Sequence, residues 1–254
     1  MILVFYAFAR EVGAFKRSVV NPTPFAHNGL RGFDAVVGGK SISVIGHGIG
    51  RRRATETARR AFDLIPGAEL VIGTGVVGAL ASRLKPGDLI LADRILATRD
   101  DAEIAEQVAA FDDAHLSAIG RSLNAAGVNY STGAILTTDR VLTVAEKRNA
   151  NKSTGAIAVD MESAAIAVEA AARDLPCIVL RSVLDQVDDE VAGAEAMADE
   201  HGHVNPLAAA AYLMRNPGTV LKIPRMIRNL SQATTAIANA LEAIAHEGKV
   251  PRPK

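Results

Sequence analysis

Short, continuously apolar runs recur along the chain, separated by stretches of helical period or by clusters of turn residues. That alternation predicts strands and helices in turn, an α/β domain. Residues 2–8, I-L-V-F-Y-A-F, are apolar throughout and predict a strand buried on both faces. Residues 40–46 predict a second strand, running into G-H-G-I-G-R-R-R (46–53) and a helix through Arg60. A short buried strand is expected at 70–72, before the glycine-rich stretch G-T-G-V-V-G-A-L at 73–80. Residues 84–93, L-K-P-G-D-L-I-L-A-D, predict a turn and a strand, with Asp88 as a turn residue. Pro22, Pro24 and Asn28 mark 21–28 as a loop. The stretch 100–124 reads as a surface helix, with Asp100, Asp101, Asp112 and Asp113 marking ends, and 133–138 as a strand. An apolar piece at 155–159 leads into a small-residue helix at 163–172, and 177–180 is a buried strand. A C-terminal helical segment is expected at about 206–246.

Composition narrows the class. A chain of 254 residues, 49% hydrophobic, supplies a full core and suits a single domain over 1–254. The formal net charge is zero, which gives no electrostatic footprint for nucleic acid. The single cysteine, Cys177, falls in an expected core strand and points to a reducing compartment, hence a cytoplasmic setting. No apolar run is long enough to span a bilayer. The N-terminal run lacks a basic n-region and reads as a core strand rather than a signal peptide.

The candidate chemistry begins at A-V-D-M-E-S-A-A-I-A, residues 158–167. A helix start is served by one acid, and Asp160 or Ser163 would suffice as its cap. Glu162 is a second acid in the same turn, beside Met161. The pair reads as an apolar platform next to a hydrogen-bond acceptor, suited to a sugar ring. An ordinary capped helix accounts for the same residues. Arg181, Ser182 and Asp185 follow the 177–180 strand at its carboxyl end, where ligands bind in open α/β sheets. Glu11 stands at the carboxyl edge of the first strand, either for chemistry or as a favoured helix-start acid. The 46–53 turn has the strand–glycine–helix form that holds an anion, with Gly48, Gly50 and Arg51 as phosphate-binding candidates. It is not a dinucleotide fingerprint, because Arg53 replaces the third glycine. His201 and His203 lack further ligands, and no metal site is expected.

V-D-M-E-S-A-A-I-A followed by I-V-L-R-S-V-L-D resembles the purine nucleoside phosphorylase and methylthioadenosine/S-adenosylhomocysteine nucleosidase superfamily. The resemblance extends back through L-K-P-G-D-L-I-L-A-D and the 73–80 stretch. It implies a three-layer α/β/α fold with a central mixed twisted sheet, and cleavage of a purine N-glycosidic bond. It further implies Asp185 as the acid at the purine N7, Glu162 as the acceptor of the ribose hydroxyls and Met161 against the sugar. Gly75 and Val76 would lie along the nucleoside, Arg181 would orient Asp185 or pair behind it, and Glu11 would activate water. No cofactor is implied; phosphate as a co-substrate stays open. A homo-oligomer is expected.

Several positions depart from the family pattern. Val76 and Val77 stand where Ser and Ala are common, and Lys152 and Ser153 occupy the region of a base-stacking Phe, leaving Phe111 or Tyr130 as substitutes. Lys222, Arg225 and Arg228 interleave with Leu221, Ile223, Met226, Ile227 and Leu230, a basic and apolar mixture that suits a membrane surface or an amphiphile, and equally a core helix with a basic outer face. These departures resemble the hopanoid-associated branch, which implies adenosylhopane, a lipid-linked nucleoside, as substrate at the inner membrane surface. A methylthioadenosine/S-adenosylhomocysteine nucleosidase and a non-catalytic nucleoside-binding protein are the alternatives.

Overall fold

The apolar runs become the middle of one mixed sheet. The computed structural model describes residues 1–98, 105–190 and 223–247. In chain order these form β1 (Ile2–Tyr6), α1 (Gly13–Ser18), β2 (Thr23–His27), β3 (Leu30–Val37), β4 (Lys40–Gly46), α2 (Arg51–Leu64), β5 (Leu70–Ala79) and β6 (Leu89–Thr98). There follow β7 (Ala105–Ala110), α3 (Asp113–Ala125), β8 (Tyr130–Thr137), α4 (Val144–Thr154), β9 (Ala158–Asp160), α5 (Ser163–Ala171), β10 (Cys177–Asp185) and α6 (Ile223–Glu247).

β1 runs parallel to both β4 and β5, and helices lie against each of its faces, so Leu3, Val4 and Phe5 are buried. Beyond β4 the sheet continues antiparallel through β3 to β2 at the edge. Gly38 and Gly39 both have positive φ, as the tight β3–β4 hairpin requires. On the other side β5 pairs parallel with β10 and antiparallel with β9, while β6 pairs with β10 and β8, and β8 with β9. These five strands therefore close on themselves, and the sheet curls at this end. Helices α1, α3 and α6 cover one face and α2 and α5 the other, giving three layers. On α6, Ala233, Ile237, Ala240, Leu241 and Ile244 recur at helical spacing and are buried.

The structure departs from the sequence expectations in several places: β10, expected over 177–180, runs on to Asp185, so Arg181 and Ser182 lie within the strand. Residues 21–28 contain a strand, β2, tolerated because Pro24 lies on an edge strand where a missing N–H costs little. Residues 105–110 are strand β7, recruited by the free side of β6, and the helix starts only after Asp112, whose carboxylate accepts from the N–H groups of Ala114 and His115. The strand expected at 70–72 continues to Ala79, because β10 and β9 hydrogen-bond the glycine-rich stretch. Lys152 and Ser153, noted only as standing where a base-stacking Phe was expected, lie in the last turn of helix α4. The helix expected at 206–214, the histidines His201 and His203, and Lys222 lie outside the described residues. Among the described residues, no helix is long and apolar enough to cross a membrane.

Because α6 joins the core along one buried stripe, truncating that stripe should be costly. Ile237→Ala is expected to lower unfolding stability by about 3 kcal/mol, the usual cost of a buried Ile-to-Ala cavity, measured by urea denaturation.

Candidate active site

The carboxyl ends of β1, β5, β8, β9 and β10 converge on one cavity of about 410 Å³. Carboxyl ends of parallel strands are the usual ligand rim in α/β sheets. Its polar groups include Glu11, Glu162, Asp185 and Lys147. Its apolar wall includes Phe8, Ile49, Val76, Val77, Val141, Met161, Leu184 and Met226. The size and mixture fit a small organic ligand. A wider hollow of about 800 Å³ adjoins it, sharing Thr138, Asp139, Arg140 and Leu142.

Under the cavity floor lies Arg181, fully buried. Its guanidinium pairs with Asp160 at 3.0 Å, donates to the Thr74 carbonyl at 2.6 Å and donates to Ser163 Oγ at 3.1 Å. Asp160 in turn accepts from Thr137 Oγ1 at 2.8 Å, from Ser163 Oγ and from the Ser163 N–H. Asp160 is thus more than a helix cap: it ties β8, β9, α5 and β10 together. Arg181 faces Asp160, Glu11 and Glu162, so acids outnumber it. His47, buried nearby, is held neutral by burial, its pKa pushed down to about 3.

Glu11 is buried and its carboxylate accepts three backbone N–H groups, from Ala7 at 2.7 Å, Phe8 at 3.1 Å and Val76 at 2.9 Å. Burial pushes its pKa upward, against the pull of Arg181 and these donors. A raised carboxylate suits a base working near neutral pH. Gly75 lies between Glu11 and Arg181, at φ +138; a Cβ there would fall 2.5 Å from Glu11 Oε1 and 2.5 Å from Arg181 Nη1. Gly75 therefore lets acid and guanidinium approach beneath the cavity and is not among its lining residues, whereas Val76 lines it.

Glu162 occupies the N-cap position of α5, and its Oε1 accepts the Gly50 N–H at 2.8 Å, at the start of α2. Burial, then the Asp160 charge, pushes its pKa up to about 7. Met161, beside it, lines the cavity. Asp185 ends β10 after a register shift between Val183 and Asp185. Such a bulge re-aims a strand end, and Asp185 comes over Gly78. Burial raises the Asp185 pKa while the ammonium of Lys147, in direct contact, lowers it. The residue that meets Asp185 is thus Lys147. Arg181, expected to orient Asp185 or to pair behind it, pairs with Asp160.

The groups expected to hold phosphate are engaged within the protein. The Gly50 N–H donates to Glu162 and the Gly48 N–H to the Ala7 carbonyl at 3.1 Å. Arg51 pairs with Asp139 at 3.2 Å and donates to the Thr98 carbonyl at 2.9 Å. Phe111 and Tyr130, suggested as base-stacking groups, pack against hydrophobic clusters and are not among the cavity's lining residues, whereas Phe8 is. Among the described residues no group of acids, histidines or cysteines is placed to hold a metal ion. Sequence reasoning missed Lys147, on a polar helix with no motif around it, and Phe8, which ordinary apolar patterning could not separate from core; Met226 was singled out only as part of the basic and apolar segment.

An acid whose folded pKa is raised contributes stability below its unfolded pKa and loses that contribution as pH rises through the folded value. For Glu162 the window runs from the usual carboxylate range up to about 7. Glu162→Gln should therefore melt higher than the parent protein at pH 8 and lose that advantage by pH 5. Thermal melts of both proteins at the two pH values check this.

Known proteins resemble the chain over most of its length. The phosphorylase superfamily matches residues 1–213. A 5'-methylthioadenosine/S-adenosylhomocysteine nucleosidase of Listeria monocytogenes is 28% identical over 203 residues, covering 72% of this chain and 85% of its own. The enzyme of that name from Haemophilus ducreyi is 25% identical over 194 residues, covering 72% and 83%. In three dimensions the chain is similar to the Helicobacter pylori 5'-methylthioadenosine/S-adenosyl homocysteine nucleosidase, with a TM-score of 0.73, 20% identity, and 97% of this chain and 98% of that one covered. It is similar to Helicobacter pylori futalosine hydrolase at a TM-score of 0.72, 20% identity and 97% of each chain covered. With the family match spanning most of its residues, and the acids gathered at the strand ends of this fold, the chain belongs to the phosphorylase superfamily.

Proposed function

We propose that the chain hydrolyses the N-glycosidic bond of an adenine nucleoside carrying an apolar 5' substituent, with adenosylhopane of hopanoid lipid biosynthesis as the intended substrate. The general class, cleavage of a purine nucleoside N-glycosyl bond, follows from the superfamily and from the nucleosidases among its relatives. The observation that carries the reading is the convergence of Glu11, Glu162 and Asp185, from three separate strand ends, on one largely apolar cavity.

In the proposed reaction the C1'–N9 bond breaks and the base takes the electron pair. Asp185, in its protonated form, supplies a proton at N7 as charge builds there. The ribosyl ring becomes cationic, and Glu162, holding its hydroxyls, stabilises that charge at close range. Water forms the new C1'–O bond and gives its proton to Glu11. A carboxylate has about four lone-pair directions, so the three N–H donors on Glu11 leave one for water. Met161 packs against the sugar.

Water is favoured over phosphate by the engagement of Gly50 and Arg51. A phosphate at that turn would have to displace Glu162 from the Gly50 N–H and Asp139 from Arg51. It would also sit against a carboxylate, which repels it. The lipid-linked substrate is favoured by the apolar wall and by Met226, which reaches the cavity from the start of α6 beside the exposed Ile227. An apolar 5' chain leaving past this edge would meet the membrane surface that the basic residues Arg225 and Arg228 suit.

Adenine release from adenosine, 5'-methylthioadenosine and a long-chain 5'-alkyl adenosine, followed by chromatography, tests the reading. The alkyl nucleoside is expected to have the highest kcat/KM, and Asp185→Asn to lose about a hundredfold or more in kcat. Efficient turnover of methylthioadenosine with no gain from the longer chain points to the nucleosidase alternative. Binding without release from any of the three points to a nucleoside-binding protein.

A further inference from the structure

Besides Arg181, Lys147 is the one lysine or arginine side chain that is almost fully buried among the described residues, at 1% exposure. It comes from α4, a helix whose other polar residues largely face outward, and it ends in the cavity wall. An ammonium has three hydrogens to donate. Here one goes to Asp185 Oδ2, one to the Gln186 carbonyl at 3.2 Å and one to the Asp189 carbonyl at 3.0 Å. All three donors are used, and two are spent on the backbone that carries Asp185. The same segment is clamped from outside by Arg148 on Asp188 at 2.7 Å, by Arg225 on Asp189 at 2.7 Å, and by Asn229, which donates to the Leu184 carbonyl at 3.1 Å. Only Lys147 reaches the catalytic carboxyl itself: no other described residue bonds it.

We propose that Lys147 is the positioning residue of the leaving-group acid: its ammonium anchors Oδ2 of Asp185 and leaves Oδ1 to meet the purine. The proposal rests on reading Asp185 as the acid at the base. A lone carboxyl at a strand end can turn about its side-chain bonds; one oxygen fixed by a buried cation, itself fixed by two carbonyls, leaves the other oxygen a narrow range. Orientation of this kind acts on the chemical step more than on ground-state binding. The cost of burying the ammonium is offset by its three hydrogen bonds, two to carbonyls and one to Oδ2, which still accepts when Oδ1 carries the proton for the purine.

A double-mutant cycle separates this role from a structural one. Adenine release is measured for the parent protein, Lys147→Met, Asp185→Asn and the double variant, with whichever nucleoside above is turned over, and folding is checked by thermal melting. Lys147→Met is expected to lower kcat about tenfold or more with little change in KM. In the Asp185→Asn background the same change is expected to cost less than about twofold, because residues acting through one another are not additive. Lys147→Arg, which keeps a cation, is expected to restore part of kcat. An equal loss in both backgrounds overturns the proposal and leaves Lys147 as a brace for the 186–189 turn. Full activity of Asp185→Asn overturns the reading beneath it instead. If Lys147→Met does not fold, Lys147→Gln takes its place in the cycle with the same expected and contrary outcomes.

Discussion

One buried guanidinium holds the site together. Arg181 reaches Asp160, Ser163 and the Thr74 carbonyl from β10, so a single side chain joins the floor strands to the start of α5. A buried ion pair adds little net stability over a well-packed apolar core. Its consequence here is electrostatic. Three acids, Glu11, Asp160 and Glu162, face this one cation; Asp160 takes the direct contact, and the other two are left with raised pKa values. Glu11 and Glu162 have backbone N–H donors, but Asp160 holds the direct contact with the cation. In the proposed reaction such an arrangement is costly in the empty protein and becomes favourable as positive charge forms on the sugar above it.

The glycines of β5 belong to the same constraint. Gly75 is where Glu11 and Arg181 meet, and Gly78 is where Asp185 is received; side chains there would occupy the space of the acids. The 73–80 stretch is therefore glycine-rich inside a strand, where such residues are ordinarily weak. The strand was expected to end at residue 72 because composition registers the glycines and not the partners, β9 and β10, that keep them extended.

The same division runs through the rest of the chain. β1, β4 and α5 were legible because each depends on a local pattern, a continuous apolar run or a capped small-residue helix. β2 and β7 were not, since each exists by pairing with a neighbour's edge and carries little strand character of its own. In the site, Glu11, Met161, Glu162 and Asp185 were visible as acids and a Met at strand ends. The geometry then adds what no local pattern carries: Arg181 pairs with Asp160, Lys147 with Asp185 across 38 positions of chain, and Glu162 accepts the Gly50 N–H.

That last contact bears on whether water or phosphate attacks the ribosyl carbon. The direct measurement is the mass of the sugar product formed with abundant inorganic phosphate present. Attack by water, as proposed, gives free sugar, at a rate indifferent to phosphate. A sugar 1-phosphate, formed in proportion to phosphate, would contradict it and would mean that Glu162 and Arg51 give way at the 46–53 turn.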